Sequence, residues 1–157
     1  MRVHIATDHA GMELSAHLVT HLRAKGHELI DHGPSVYDAE DDYPSFCIRA
    51  ALAVVDDQLS GVEALGIVLG GSGNGEQIAA NKVRGVRAAL AWNLDTARLA
   101  REHNDANVVA LGGRQHSLEE ATAIVEAFLE EPFSGAERHV RRISKIAAYE
   151  TTGEILP

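Results

Sequence analysis

Between residues 66 and 82 the chain reads GIVLGGSGNGEQIAANK: an apolar run, four glycines within six residues, then a helical pattern. A glycine-rich turn that opens a helix points backbone N–H groups and a positive dipole end at an approaching anion. Three known loops fit this stretch except at one residue each. Gly70 and Gly75 keep the spacing of a P-loop, but Glu76 stands where the phosphate-binding lysine belongs. Gly71 and Gly73 open a dinucleotide fingerprint whose third glycine is again Glu76. Gly70 and Ser72 begin a nucleophile elbow that ends in Asn74 rather than glycine. An ionised Glu76 would repel a bound phosphate dianion, whereas a base beside an oxyanion hole suits removal of a proton next to a carbonyl. The loop therefore reads as a site for enediolate chemistry. Taken alone, Glu76 also fits the commoner role of a carboxylate that favours its helix dipole.

Other polar residues accompany it. Asp8 and His9 follow an apolar run, where they either begin the next helix or enter a site. His103 and Asn104 fall at the end of a helical pattern; a histidine cation is favoured there by the dipole, yet a loop could also fold the pair towards a cleft. Arg114 follows two glycines and is placed to meet an anion. The segment ERHVRRISK (137–145) sets Arg138 and Arg142 four apart on one helix face, with Arg141 and Lys145 nearby. Such a run is usually a solvated face. Here it concentrates positive charge in an acidic chain, Arg138 sits early in its helix against the dipole, and paired guanidinium groups suit a phosphate. Nine histidines are many, but none shows a recognisable ligand spacing, so no metal site is expected. Cys47, on an apolar helix face, is expected in the core.

These residues need elements to position them. Runs at 3–7, 27–31, 64–70, 86–92 and 107–113 are expected as strands, the third apolar throughout like a strand buried on both faces. Leu14, Leu18 and Leu22 share one helical face, and Gly26 closes that helix. Residues 32–44 form a polar loop with two prolines. Residues 45–58 are expected as a helix with Phe46, Ala50 or Ala51, and Val54 inward; shorter helices are expected over about 75–82 and 93–103. SLEE (117–120) and SGAE (134–137) both fit a capping box, so two further helices begin there, the last over about 134–150. Their inward residues are Leu118, Ala121, Val125, Phe128 and Leu129 in one, and Val140, Ile143 and Ala147 in the other. Alternation of this kind implies an α/β fold with a five-stranded parallel sheet and helices on both faces. Ligands of such sheets sit beyond the carboxyl ends of the strands, which selects Asp8, His9, residues 70–76, Asn93 and residues 112–114.

Bulk composition narrows the function. A length of 157 residues suits one domain, with no repeat or linker visible. Acidic residues outnumber basic ones, 23 to 14, which argues against a nucleic-acid partner but permits a small anion held by a few local arginines. One cysteine excludes an intramolecular disulfide and suits a reducing compartment. With no apolar signal-like segment and no run of bilayer length, a cytoplasmic location without membrane contact is expected.

Taken together, ATDHAG (6–11), DYP (42–44), GIVLGGSGNGEQIAANK (66–82), AREHNDAN (100–107), LGGR (111–114) and RHVRRI (138–143) closely resemble the ribose-5-phosphate isomerase B family, which also contains the galactose-6-phosphate isomerase subunits. The resemblance covers nearly the whole chain, with the motifs in the family's order. It implies a Rossmann-like three-layer sandwich, a homodimer or tetramer with active sites at the subunit interface, and no cofactor or metal. It implies that Asp8 and His9 contact a sugar phosphate, with Tyr43 among the substrate-binding residues. Gly71, Ser72, Gly73, Asn74 and Gly75 would form the anion hole, and His103 would assist opening of the furanose ring with Asn104 nearby. Arg114, Arg138 and Arg142 would hold substrate, chiefly its phosphate. Many members carry a cysteine as base at the position of Ser72, whose hydroxyl is too weakly acidic to replace it; the chain resembles the actinobacterial-type branch, in which the glutamate at Glu76 takes over. The implied reaction is interconversion of D-ribose 5-phosphate and D-ribulose 5-phosphate. A hexose 6-phosphate or tetrose 4-phosphate isomerase, or a sugar-phosphate-binding module without catalysis, are the alternatives.

Overall fold

The computed structural model describes residues 1–157. The five apolar runs form β1 (Arg2–Thr7), β2 (Glu28–Asp31), β3 (Ala64–Gly70), β4 (Ala88–Leu90) and β5 (Val108–Gly112), hydrogen-bonded in parallel in the order β2-β1-β3-β5-β4. Every position of β3 is buried, because neighbouring strands and both helical layers enclose it. The connections are α1 (Met12–Ala24), α2 (Tyr43–Leu59), α3 (Asn74–Ala80), α4 (Leu94–Asn104), α5 (Leu118–Glu130) and α6 (Glu137–Thr152).

The two-residue period of the strands divides the core. Val3, Ile5, Leu65, Ile67, Leu69, Val109 and Leu111 face α1, α4 and α5, where Leu14, Leu18, Leu22, Val125 and Phe128 meet them. Ala6, Val68, Val108 and Ala110 face α2 and α3 through Cys47, Ala50, Ala51, Val54, Ala79 and Ala80. Gly66 is on this second side, where an added Cβ would lie 3.0 Å from methyls of Val54 and Val108. The strand order reverses between β1 and β3, which opens a crevice at their carboxyl ends. Asp8 and the glycine loop emerge there.

Three expectations need correction at element ends. β4 is confined to Ala88–Leu90 rather than 86–92. Just before it the Arg87 N–H, on the side facing β5, donates to the Asn107 side chain at 2.8 Å instead of to a strand carbonyl. On the outer edge the Asn81 side chain accepts from the Ala88 N–H and donates to its carbonyl, at 2.9 Å each. α2 starts at Tyr43, with Pro44 in the first turn where its missing N–H costs nothing. The capping box forms at Ser117 and Glu120 but not at Ser134. There α6 begins after Ala136 without a side-chain cap, and the Ser134 hydroxyl contacts His139 instead.

The inward face expected for α6 is also wrong. Val140 and Ala147 are exposed, Ile143 is half-buried, and His139 is the one buried residue of the helix. The amphipathic period is real, but α6 stands off the sheet, touching α4 at its start and tied near its end by Gly85 N–H to Glu150 and by Arg84 to Thr151. No element of its own chain covers the apolar stripe.

Beneath β1, His4 is held between Asp57 and His32, at 2.9 Å on either nitrogen. The Asp57 carboxylate accepts from His4 Nε2–H, and His4 Nδ1 and His32 Nε2 share a hydrogen bond. Burial, then the neighbouring His4, holds the His32 pKa below the usual imidazole value. The unfolded chain therefore binds a proton before the folded one does, and stability falls as pH drops below about 6.5. Chemical denaturation across pH 5 to 8 should show that decline, with a shallower slope in His32→Gln; a pH-independent unfolding free energy would contradict the assignment.

Candidate active site

Period-two alternation puts Gly70 on the α2–α3 side of β3, and Glu76, in the first turn of α3, folds its carboxylate over it. A Cβ at Gly70 would overlap that carboxylate. Gly75 is covered in the same way by the Tyr43 ring, whose Cζ would lie 2.5 Å from an added Cβ. Gly73 turns the chain at φ 81°, and an added Cβ there would lie 2.8 Å from the Leu111 backbone, a conformation and a closeness that exclude larger residues. The N–H groups of Gly71, Ser72, Gly73 and Gly75 donate to nothing else in the chain. They form a concave set of free donors. The Ser72 hydroxyl accepts from the Asn74 N–H and side-chain amide at 3.3 and 3.2 Å, which leaves its own hydrogen to donate.

Glu76 is 4% exposed. Burial raises its carboxyl pKa above the ordinary glutamate value; its own backbone N–H offsets this in part, and nearby Asp8 adds to the rise. Behind it, burial and then the same two carboxylates push the Cys47 thiol up to about 12, so it is an inert core residue, as expected from its helix face. Asp8 caps the short helical turn at residues 9–11 by accepting from Ala10 N–H at 2.9 Å, yet it also lines the cleft. His9 does not lie on an exposed helix turn. Asp41 reaches across from the 32–44 loop and accepts from both the His9 backbone N–H, at 3.1 Å, and ring Nδ1, at 2.7 Å. That bond fixes the proton on Nδ1 and leaves Nε2 as the free nitrogen.

Asp8, His9, Tyr43, Gly71, Ser72, Gly75, Glu76 and Arg114 thus line one cleft of about 450 Å³, with Gln115 at its rim. Gly73 lies buried beneath the turn and Asn74 on its outer side. Two larger hollows, about 610 and 630 Å³, lie at the amino ends of the strands and beneath α6; neither combines a buried base with free N–H donors. Asp8, His9 and Asp41 place one potential metal-ligand atom each within 4.8 Å of one another; the His9–Asp41 hydrogen bond uses Nδ1 and Oδ1.

His103, Asn104, Arg138 and Arg142 do not line this cleft. No loop folds His103 inward; it stays at the end of α4, its ring 4.3 Å between centroids from that of His139 on α6. The chain therefore carries two separate polar assemblies, one at the β1–β3 crevice and one where α4 meets α6. Asp41, Gln115 and His139 had no signal in the sequence beyond their residue types.

A buried carboxylate of raised pKa facing unpaired N–H groups, with Arg114 alongside, makes the crevice an α/β site suited to moving a proton next to a carbonyl of a small anion. The chain belongs to the ribose/galactose isomerase family, whose model matches residues 3–146. It is 58% identical over its whole length to ribose-5-phosphate isomerase B of Mycobacterium tuberculosis, covering 94% of that protein. The structure of ribose-5-phosphate isomerase B from Clostridium thermocellum superimposes with a TM-score of 0.90 at 40% identity, over 98% of this chain and 100% of the other. That from Mycoplasma genitalium, with bound ribulose-5-phosphate, superimposes at 0.89 and 42% identity, over 96% and 97%. Family and sheet architecture agree with the resemblance drawn from the motifs.

Because the group that would meet a Gly70 Cβ is the flexible end of Glu76, Gly70→Ala should displace the carboxylate while changing stability by less than about 1 kcal/mol. Carbon NMR of the Glu76 carboxyl would then show its pKa falling back toward the ordinary range; an unchanged titration would mean that the cover over Gly70 does not set it.

Proposed function

We propose that the protein interconverts D-ribose 5-phosphate and D-ribulose 5-phosphate through an enediolate. The observation that carries this reading is the placement of Glu76: a buried carboxylate beside four N–H groups that have no other partner. The names of the relatives, and the ribulose-5-phosphate held by the Mycoplasma genitalium neighbour, supply the substrate. His103 moves a proton as the furanose ring opens. Glu76 then takes the proton from C2, the C1–C2 double bond forms, and the negative charge that develops on O1 is met by the loop N–H groups and the Ser72 hydroxyl. Passage of the O2 hydroxyl proton to O1 and return of the carbon-bound proton from Glu76 to C1 give the ketose. Nothing in these steps requires a cofactor.

The phosphate lies with the arginines in this reading, which calls for a second copy of the chain. His103, Asn104, Arg138 and Arg142 stand away from their own cleft, and the uncovered stripe of α6, with Val140, Ile146 and Tyr149 exposed, gives two copies a surface on which to pair. We infer a homodimer in which each α4–α6 junction completes the other protomer's crevice. No helix is long and apolar enough to cross a membrane, and the proposed pentose chemistry suits the cytoplasm.

Glu76→Gln should lower kcat by roughly two to four orders of magnitude while sugar-phosphate binding persists. In deuterated water the wild type should place solvent deuterium on the C1–C2 unit of the product, and the variant should not; substantial turnover by Glu76→Gln would move the base elsewhere. Since Glu76 acts deprotonated and its pKa is raised, the acid limb of kcat/KM should fall above the usual carboxylate value of about 4.5. Arg142→Ala should raise KM with kcat nearly unchanged, because a phosphate contact is made equally in ground and transition states. A fall in kcat at constant KM would give that arginine another task. Assaying ribose 5-phosphate beside hexose 6-phosphates and tetrose 4-phosphates separates the substrate classes.

A further inference from the structure

The α4–α6 junction contains a buried imidazole with no role in the steps above. His139 is 2% exposed, yet the residues on either side of it in α6 face solvent. All its polar valences are used. Arg138 Nε–H donates to its Nε2 at 3.1 Å, which leaves that nitrogen without a proton. The proton is therefore on Nδ1, which donates to the Ser134 hydroxyl at 2.8 Å. Ser134 is itself fixed to α4 through its N–H to the Glu102 carbonyl at 3.1 Å. The face of the ring lies against His103 with the planes 40° apart. Three of the four junction contacts thus converge on one side chain, and a neutral, single-tautomer His139 is the state that satisfies them.

We propose that His139 is a positioning residue: its ring sets the orientation of the His103 imidazole while its Nε2 holds the Arg138 guanidinium, so that the ring-opening and phosphate-holding groups are preassembled within one protomer. What those two groups do rests on the isomerase reading; that His139 orders them does not. Burial, followed by the positive charge of Arg138, the neighbouring His103 and Arg142, with Glu102 opposing, keeps its pKa below the usual imidazole value and so preserves the accepting nitrogen. Acid would protonate Nε2 and release Arg138. This arrangement also accounts for the uncapped start of α6. The Ser134 hydroxyl accepts from His139 Nδ1–H and from the Ala136 N–H at 3.3 Å, not from the Glu137 N–H that a capping box would engage.

Two substitutions divide the functions. His139→Phe keeps a ring against His103 but offers Arg138 no acceptor, so KM for ribose 5-phosphate should rise about tenfold with kcat within about threefold of wild type. His139→Gln returns an acceptor near the Nε2 position but removes the ring, so KM should stay within about threefold while kcat falls about tenfold. Equal losses in both constants from both variants would reduce His139 to a packing residue, and wild-type kinetics in either would refute it. Nitrogen-15 NMR of the wild-type imidazole at neutral pH should show a protonated Nδ1 and a bare Nε2 whether or not the variants fold; the opposite tautomer would overturn the proposal. If wild type failed to turn over ribose 5-phosphate, the isomerase reading would fall by itself. The Phe-to-Gln ratio in Kd for inorganic phosphate, together with the tautomer, would still decide the positioning claim.

Discussion

The site depends on one buried contact, the Glu76 carboxylate lying over the bare α-carbon of Gly70. A charged group in such a place is expensive unless water or donors compensate it. Here compensation is partial, by its own backbone N–H, so the acid is left more basic than a surface glutamate while remaining next to solvent-accessible donors. Everything around it follows from that requirement. Gly70 and Gly75 lack side chains because a carboxylate and a tyrosine ring occupy their space. The strand order reverses here, and the crevice between β1 and β3 brings Asp8 near enough to add to the rise in the Glu76 pKa.

Electrostatically, the chain handles its acidic excess by segregation. Carboxylates cluster around the crevice, while Arg138 and Arg142 are held apart on α6 and Arg114 alone stands at the crevice. Asp41 takes a different course: engaged with His9 through both the backbone and the ring, it spends its charge on orientation rather than on repelling an incoming phosphate. His139 follows the same logic with opposite sign, surrounded by cations yet kept neutral.

Much of this was legible in the sequence, and the reasons for the failures are specific. Glu76 stood out because it broke three loop patterns at a position where each demanded another residue. The strands and α5 were readable from periodicity and one genuine capping box. Asp41 was not, because an acid in an acidic loop carries no local mark and its partner His9 lies 32 residues away. The α6 period correctly indicated an apolar stripe, but a period cannot say whether the surface it seeks belongs to the same chain. Ser134 matched a cap by spacing alone; the competing donor, the His139 Nδ1–H, is visible only in three dimensions. β4 proved shorter for a similar reason: amide side chains stand in for strand backbone, Asn107 against Arg87 at its start and Asn81 along its outer edge.

That last replacement reaches beyond strand length. By satisfying the outward N–H and carbonyl of Ala88, Asn81 occupies the pairing groups at the start of the β4 edge. An incoming strand would have to displace that amide before it could pair there.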